Sequence, residues 1–406
     1  FFFFFFFFSF LGRILTSIFL LFSSLLLSFL SSFFFFPLFF LFLLFPSLPA
    51  CSVAASLFIE QEQGLFSAAV MQSGAAAFWS SLPMASAEQE FDELASGLGC
   101  SGAADAVACL QAAPMEAIIN ATSGAIDVAS ATSFVKWSPV QDGVVLKGDL
   151  AQLAAQGKFS SRVPMIIGAT TNEGSILIGA LFPNGFGLLE LAAVMAVVFD
   201  FQLGLVAEVL ARYVPTTASP MDALVQSLSD MTFVCPARQT AREADKAGLK
   251  TWLYAFDQGV ANTTFPGGAC VGACHTVDLP YVFRVSDLLN TTELALSDKT
   301  LELWSNLARY GNPNGRRLLP VWPGFSTSSG LSLRLAVPAD KLEVQWNYKA
   351  LMCNFWEQQD TQFLTGAVAR FQALHRQPDM PAFVRQAVAR LLAHPDFDLQ
   401  ALVPAA

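Results

Sequence analysis

The chain changes character abruptly at residues 50 and 51, and that boundary limits the fold more than any other feature of the sequence. Twenty of the forty phenylalanines lie in the first fifty residues, and those fifty carry a single charge, Arg13. They are almost entirely Phe, Leu, Ser and Pro. Neither a two-residue nor a 3.6-residue apolar period runs through them, so no amphipathic strand or helix can be assigned there. Residues 14–45 are uncharged and long enough to cross a bilayer. Two readings account for the segment. As a signal anchor, it would attach the protein to a membrane through residues 14–45; the apolar run is too long for a cleaved signal peptide. As a translated pyrimidine-rich non-coding tract, it would carry no function. Phe, Leu, Ser and Pro are the amino acids that pyrimidine-only codons encode, and the composition favours this second reading. If synthesised, Phe1–Phe8 is aggregation-prone, having high β propensity and neither charge nor proline.

Residues 51–406 read instead as one acidic soluble domain, with 21 Lys and Arg against 32 Asp and Glu. Nucleic acid is excluded as a partner by that balance, because phosphate binding needs clustered cations. Helical and strand-like patches alternate between Gly- and Pro-bearing turns, which predicts an α/β fold. Ala68–Gln72, Pro164–Gly168 and Thr251–Phe256 read as buried strands. Val53–Phe58, Glu88–Leu98 and Leu188–Phe199 read as helices. Thr300–Tyr310 reads as a helix stopped by Gly311 and Pro313, and Val368–Leu392 as a helical stretch broken at Pro378–Pro381.

Seven cysteines occur: Cys51, Cys100, Cys109, Cys235, Cys270, Cys274 and Cys353. Their spacing fits no zinc site, and no metal or cofactor is expected. Three Asn-x-Thr sequons, at Asn120, Asn262 and Asn290, together with cysteines available for pairing, point to the secretory route, either secreted or membrane-anchored.

Of three histidines, His375 and His394 lie in the polar C-terminal region and read as surface residues. His275 differs. It follows the Gly- and Cys-bearing loop 267–274 and precedes Asp278 and an apolar run. A loop histidine beside a buried segment suits a general base. Glu173 lies just past the Pro164–Gly168 strand, where a carboxylate can accept an imidazole Nδ1–H and orient the ring. Acid first and histidine about a hundred residues later is the order found in α/β-hydrolases.

Eight stretches then fall in the order of one family. They are Gly64-Leu65-Phe66-Ser67-Ala68-Ala69-Val70-Met71-Gln72-Ser73-Gly74, Trp137-Ser138-Pro139-Val140-Gln141-Asp142-Gly143 and Val163-Pro164-Met165-Ile166-Ile167-Gly168, then Asn172-Glu173-Gly174-Ser175 and Phe233-Val234-Cys235-Pro236, then His275-Thr276-Val277-Asp278-Leu279-Pro280-Tyr281-Val282-Phe283, Trp304 through Asn314, and Trp322-Pro323. Over most of residues 51–406 the chain resembles the type-B carboxylesterases and cholinesterases. The resemblance implies an α/β-hydrolase fold, a serine nucleophile, Glu173 as triad acid and His275 as triad base, acting on a small-molecule ester without a cofactor. It also implies disulfides Cys100–Cys109 and Cys235–Cys353, leaves Cys51 free, and assigns no pairing to Cys270 and Cys274.

The family's Gly-Glu-Ser-Ala-Gly elbow does not occur in the sequence. Ungapped alignment puts Phe45-Pro46-Ser47-Leu48-Pro49 in its place, so Ser47 takes the nucleophile position with Phe45 and Pro49 where glycines relieve crowding. The family's N-terminal strands and oxyanion loop would precede residue 50. The expectation is a hydrolase fold truncated at its N-terminal side, with an unpaired sheet edge. Taken literally, such a chain is expected to be poorly stable and inactive. Two further readings stand beside the esterase: a non-catalytic cholinesterase-like interaction domain, or an inactive truncated product. Retention of Glu173 and His275 argues against an interaction domain, which has no need of them.

Overall fold

A computed structural model describes residues 47–123, 137–260, 270, 272–317, 321–374 and 377–398. The tract 14–45, Asn262 and His375 lie outside the described residues.

Among the described residues, five strands form the main sheet: β1 (Ala69–Gln72), β2 (Met165–Thr170), β3 (Thr251–Phe256), β4 (Ser332–Leu335) and β5 (Glu343–Gln345). They lie side by side in sequence order. The first four pair in parallel, with Ala69 opposite Met165, Met165 opposite Thr251, and Leu253 opposite Ser332. β5 closes the sheet antiparallel to β4. Every residue of β2 and of β3 is buried. That is the pattern of inner parallel strands covered on both faces, and it explains why both read in the sequence as short apolar runs. β1 alternates between buried and half-buried, and among the described residues it is an edge. The strands β4 and β5 carry no such run and are not legible locally.

Alternation along each strand sends side chains to opposite faces. Met165, Ile167 and Leu253 pack on one face with Met71, with Cys51 and Ala54 of helix α1 (Ser47–Ser56), and with Phe233 and Ala237. Ile166, Trp252, Tyr254 and Phe256 pack on the other with Leu296, Leu303, Leu307 and Trp322. Gly168 sits opposite Tyr254 in the register, and a Cβ there would fall 2.4 Å from the Tyr254 carbonyl oxygen. The missing side chain lets the Tyr254 ring lie across β2.

The expected helices are present, and all but the one at Leu188 start earlier than expected. Helix α2 spans Met84–Gly97 and α3 spans Leu188–Val198. Next come α4 (Leu203–Tyr213), α5 (Pro220–Ser229), a π-helical turn at Asp230–Val234, and α6 (Cys235–Lys246). Helix α7 runs from Thr291, nine residues before the expected Thr300, to Tyr310. A capping box starts it: Asn290 accepts the Glu293 N–H and the Glu293 side chain accepts the Asn290 N–H. Gly311 stops it at φ +63°, the left-handed conformation that glycine adopts without strain. Helix α8 (Ala350–Trp356) is followed by α9 (Thr361–Ala373) and α10 (Met380–Leu392). An interruption is present but lies earlier than expected: α9 ends at Ala373, α10 restarts at Met380 with Pro381 in its first turn, and α9 begins seven residues before the expected Val368.

Helices α3, α4, α5, α9 and α10 bury their apolar faces against one another in a separate core. His394 at the end of α10 is half-buried and stacks on Phe201 at 6.0 Å, so it is not the plain surface residue expected. Cys100 bonds Cys109, Cys235 bonds Cys353, and Cys270 bonds Cys274. Cys51 is free and buried.

Candidate active site

Two loops meet beyond the C-terminal ends of β2 and β3. The first, Thr171–Gly174, leaves β2. The second carries Cys274 and His275. A main-chain bridge joins them, with the Asn172 N–H donating to the Ala273 carbonyl at 3.0 Å. The Cys270–Cys274 bond closes a tight ring immediately before His275.

This junction brings Glu173 and His275 together. Glu173 is 1% exposed. Its Oε2 faces the His275 Nδ1 in hydrogen-bond contact. Its Oε1 accepts the Thr170 N–H at 2.7 Å and the Ser73 hydroxyl at 2.6 Å. One oxygen is thus anchored by two donors, while the other is left for the imidazole. The Phe233 ring packs beside the imidazole, with ring centroids 5.2 Å apart.

Ser73 is one residue that sequence reasoning missed. It directly follows β1 at φ +53°, unusual for a residue with a Cβ, and is buried. That conformation aims its hydroxyl at the acid. The Asp278 carboxylate is a second. It is 2% exposed and accepts from Gln72 Nε2 at 2.7 Å and the Tyr254 hydroxyl at 3.3 Å. Gln72 is held in turn by the Trp304 indole N–H at 3.3 Å. The available signal was the position of Asp278 three residues after His275 at the head of an apolar run.

Burial pushes the Asp278 carboxyl up to about 6, with Gln72 opposing and the Glu173 charge adding to the rise. For His275, burial by itself favours the neutral ring, but the facing Glu173 carboxylate outweighs it, helped by Asp278, and the imidazole pKa lies above its ordinary value. Both groups bind protons more tightly folded than unfolded, so stability falls as pH rises. The Asp278 contribution is full below about 3.8 and lost as pH climbs through about 6. That of His275 is full below its ordinary value of 6.5 and lost as pH passes its raised folded value. Urea unfolding between pH 4 and pH 9 checks this, with His275→Gln expected to flatten the slope above pH 6.5. A wild-type stability that rises across the neutral range would contradict the pairing.

The other expected residues are placed as follows. Ser47 is the first residue of α1, and its side chain is outside the described set. The start of α1 adjoins Ser73-Gly74: a Cβ on Gly74 would fall 2.3 Å from Ala50 Cβ. Asn120 and Asn290 are exposed. Among the described residues, no three His, Cys, Asp or Glu side chains converge to hold a metal ion, and no helix is long and apolar enough to cross a membrane.

A mostly parallel sheet flanked by helices, with an acid and a histidine on loops beyond its strands, has the architecture of an α/β-hydrolase. The carboxylesterase family model matches residues 49–356. The chain belongs to the carboxylesterase family. It is 30% identical to carboxylesterase 5A of Felis catus over 316 residues, 72% of this chain and 55% of that protein. It is 26% identical to acetylcholinesterase of Bungarus fasciatus over 334 residues, 76% of this chain and 54% of that protein. Against carboxylesterase 5A of Canis lupus familiaris it is 28% identical over 305 residues, 70% and 50% of the two chains. The chain spans about half the length of the curated relatives it matches. Helices α9 and α10 lie beyond the family match, yet α9 reaches the site: Val368 and Phe371 line a small apolar void with Gly174 and Phe233.

Proposed function

We propose that residues 51–406 form the C-terminal part of a carboxylic ester hydrolase domain and supply the acid and base of a Ser-Glu-His triad. The observation that carries this reading is the Glu173 carboxylate, one oxygen doubly anchored and the other committed to His275 Nδ1. With Nδ1 held, Nε2 is the atom free in chemical terms to take a proton from a serine hydroxyl. Serine is a poor nucleophile at neutral pH without such a base. Glu173 fixes the tautomer and stabilises the imidazolium as it forms. No cofactor enters this chemistry. The substrate is a small-molecule carboxylic ester.

The nucleophile belongs at the N-terminal turn of α1, beside Ser73-Gly74. Ser47 holds that place, but Phe45 and Pro49 stand where the elbow needs glycines. That substitution favours a second reading, an inactive product or a non-catalytic interaction domain, for the chain as written. The three disulfides and the exposed sequons Asn120 and Asn290 support passage through the secretory pathway, with glycans at Asn120, Asn262 and Asn290.

The test is a transcript read across the codons for residues 40–60, followed by an ester-hydrolysis assay of the encoded protein. A message joining Cys51 to Gly-Glu-Ser-Ala-Gly should encode an esterase that His275→Ala silences, with a rate that rises with pH through the His275 pKa. Ester turnover that survives His275→Ala would overturn the triad. Turnover by the chain as written, abolished by Ser47→Ala, would instead make Ser47 the nucleophile.

A further inference from the structure

Helix α5 grips the turn that carries Glu173 from both sides. Gln226 and Ser229, three residues apart and so on one helix face, point at it. The Gln226 amide Nε2 donates to the Thr171 carbonyl at 3.0 Å and to Asn172 Oδ1 at 2.6 Å, just before the acid. Ser229 Oγ accepts the Gly174 N–H at 3.0 Å, just after it.

Gln226 is itself held. Lys349 Nζ donates to Gln226 Oε1 at 2.9 Å. An ammonium can only donate, so it fixes which end of the amide faces the turn. Lys349 sits at φ +56° at the head of α8 and also donates to Asp230 Oδ2 at 3.0 Å. Asp230 is fully buried on the π-helical turn and takes a second bond from the Tyr213 hydroxyl at 2.9 Å, which the Trp356 indole N–H supports at 2.8 Å. The Asn172 held by Gln226 is the same residue whose main chain bridges to the His275 loop.

We infer that Gln226, oriented by the Lys349–Asp230 ion pair, is a positioning residue for the Glu173–His275 pair. It fixes Asn172, and through Asn172 the spacing between the acid loop and the base loop. The inference rests on the pairing proposed above, but it adds a claim that the pairing does not require: a partially exposed amide on α5 governs the geometry of two residues that it does not touch. It also gives Lys349, at the head of α8 and distant in sequence, an indirect part in the site.

The experiment is a ¹⁵N-histidine NMR titration of the full chain, with the His275 signals assigned by their loss in His275→Gln. Wild type should show a raised His275 pKa and a downfield Nδ1 proton. Gln226→Met keeps the volume and removes both donors. It should lower the His275 pKa by about half a unit or more, because the carboxylate loosens and burial gains weight, and should broaden the Nδ1 proton at unchanged far-UV circular dichroism. Lys349→Arg should retain the wild-type signature. If Gln226→Met does not fold, Gln226→Asn is read in the same way, since it keeps the amide but shortens its reach. A folded Gln226 variant with an unaltered His275 pKa and Nδ1 proton overturns the inference while leaving the pairing intact. A wild-type His275 without a raised pKa overturns the pairing itself.

Discussion

Glu173→Gln is expected to take the His275 pKa from above its ordinary value to below it and to reverse the ring tautomer. Glu173 Oε1 accepts two donors, from Thr170 and Ser73, so a glutamine would keep its carbonyl oxygen there. Its amide nitrogen would then face His275 Nδ1. An N–H donor at that position needs an acceptor, so Nδ1 must lose its proton and Nε2 must carry it. Burial, which disfavours the imidazolium, then meets only the weaker pull of Asp278. In a form of the protein that carries a nucleophile, the wrong tautomer should lower turnover about 10⁴-fold, the loss seen when the equivalent acid of a serine protease triad is made an amide. Ring ¹⁵N shifts read the tautomer without any turnover. A variant that retains an Nδ1 proton and the wild-type pKa would refute the account.

Removing the Cys235–Cys353 bond should be the most damaging of the three disulfide losses. It ties α6 to α8 across 118 residues, whereas Cys100 and Cys109 are separated by 9. Loop-closure entropy makes the long link worth about 4–5 kcal/mol and the short one about 2.5–3 kcal/mol. Both half-cystines of the long link are buried, and they hold α8, whose first neighbour is Lys349, against the end of the π-helical turn. The Cys235→Ala/Cys353→Ala pair should therefore lower the urea midpoint clearly more than Cys100→Ala/Cys109→Ala. It should also disturb the His275 Nδ1 signal, which the short-loop variant leaves alone. Equal losses from the two pairs would show that loop length does not set their value.

What the sequence determined by itself was local or compositional. Continuous apolar runs marked β2 and β3 because inner parallel strands are buried on both faces. Gly311 marked the end of α7 because few other residues accept its conformation. Glu173 and His275 stood out because each is a chemically distinctive residue on a polar loop beside an apolar segment, and eight ordered stretches gave the family. The start of α7 was expected nine residues late, because its cap, Asn290, reads in the sequence as a sequon.

Tertiary structure decided which groups meet. Ser73 reaches Glu173 across 100 residues, Gln72 reaches Asp278 across 206, and Lys349 reaches Gln226 across 123. Gln72, Ser73 and Asp278 fall inside the ordered family stretches, but nothing in those stretches says which residue each one meets, and Gln226 and Lys349 are ordinary polar residues that no period or motif marks. The strands β4 and β5 were hidden for the same reason: four and three residues with charged Arg334 and Glu343 among them form strands because neighbours complete their hydrogen bonds. Pairing energy between distant segments is a property of the assembled sheet and loops, and a sequence window contains only one side of it.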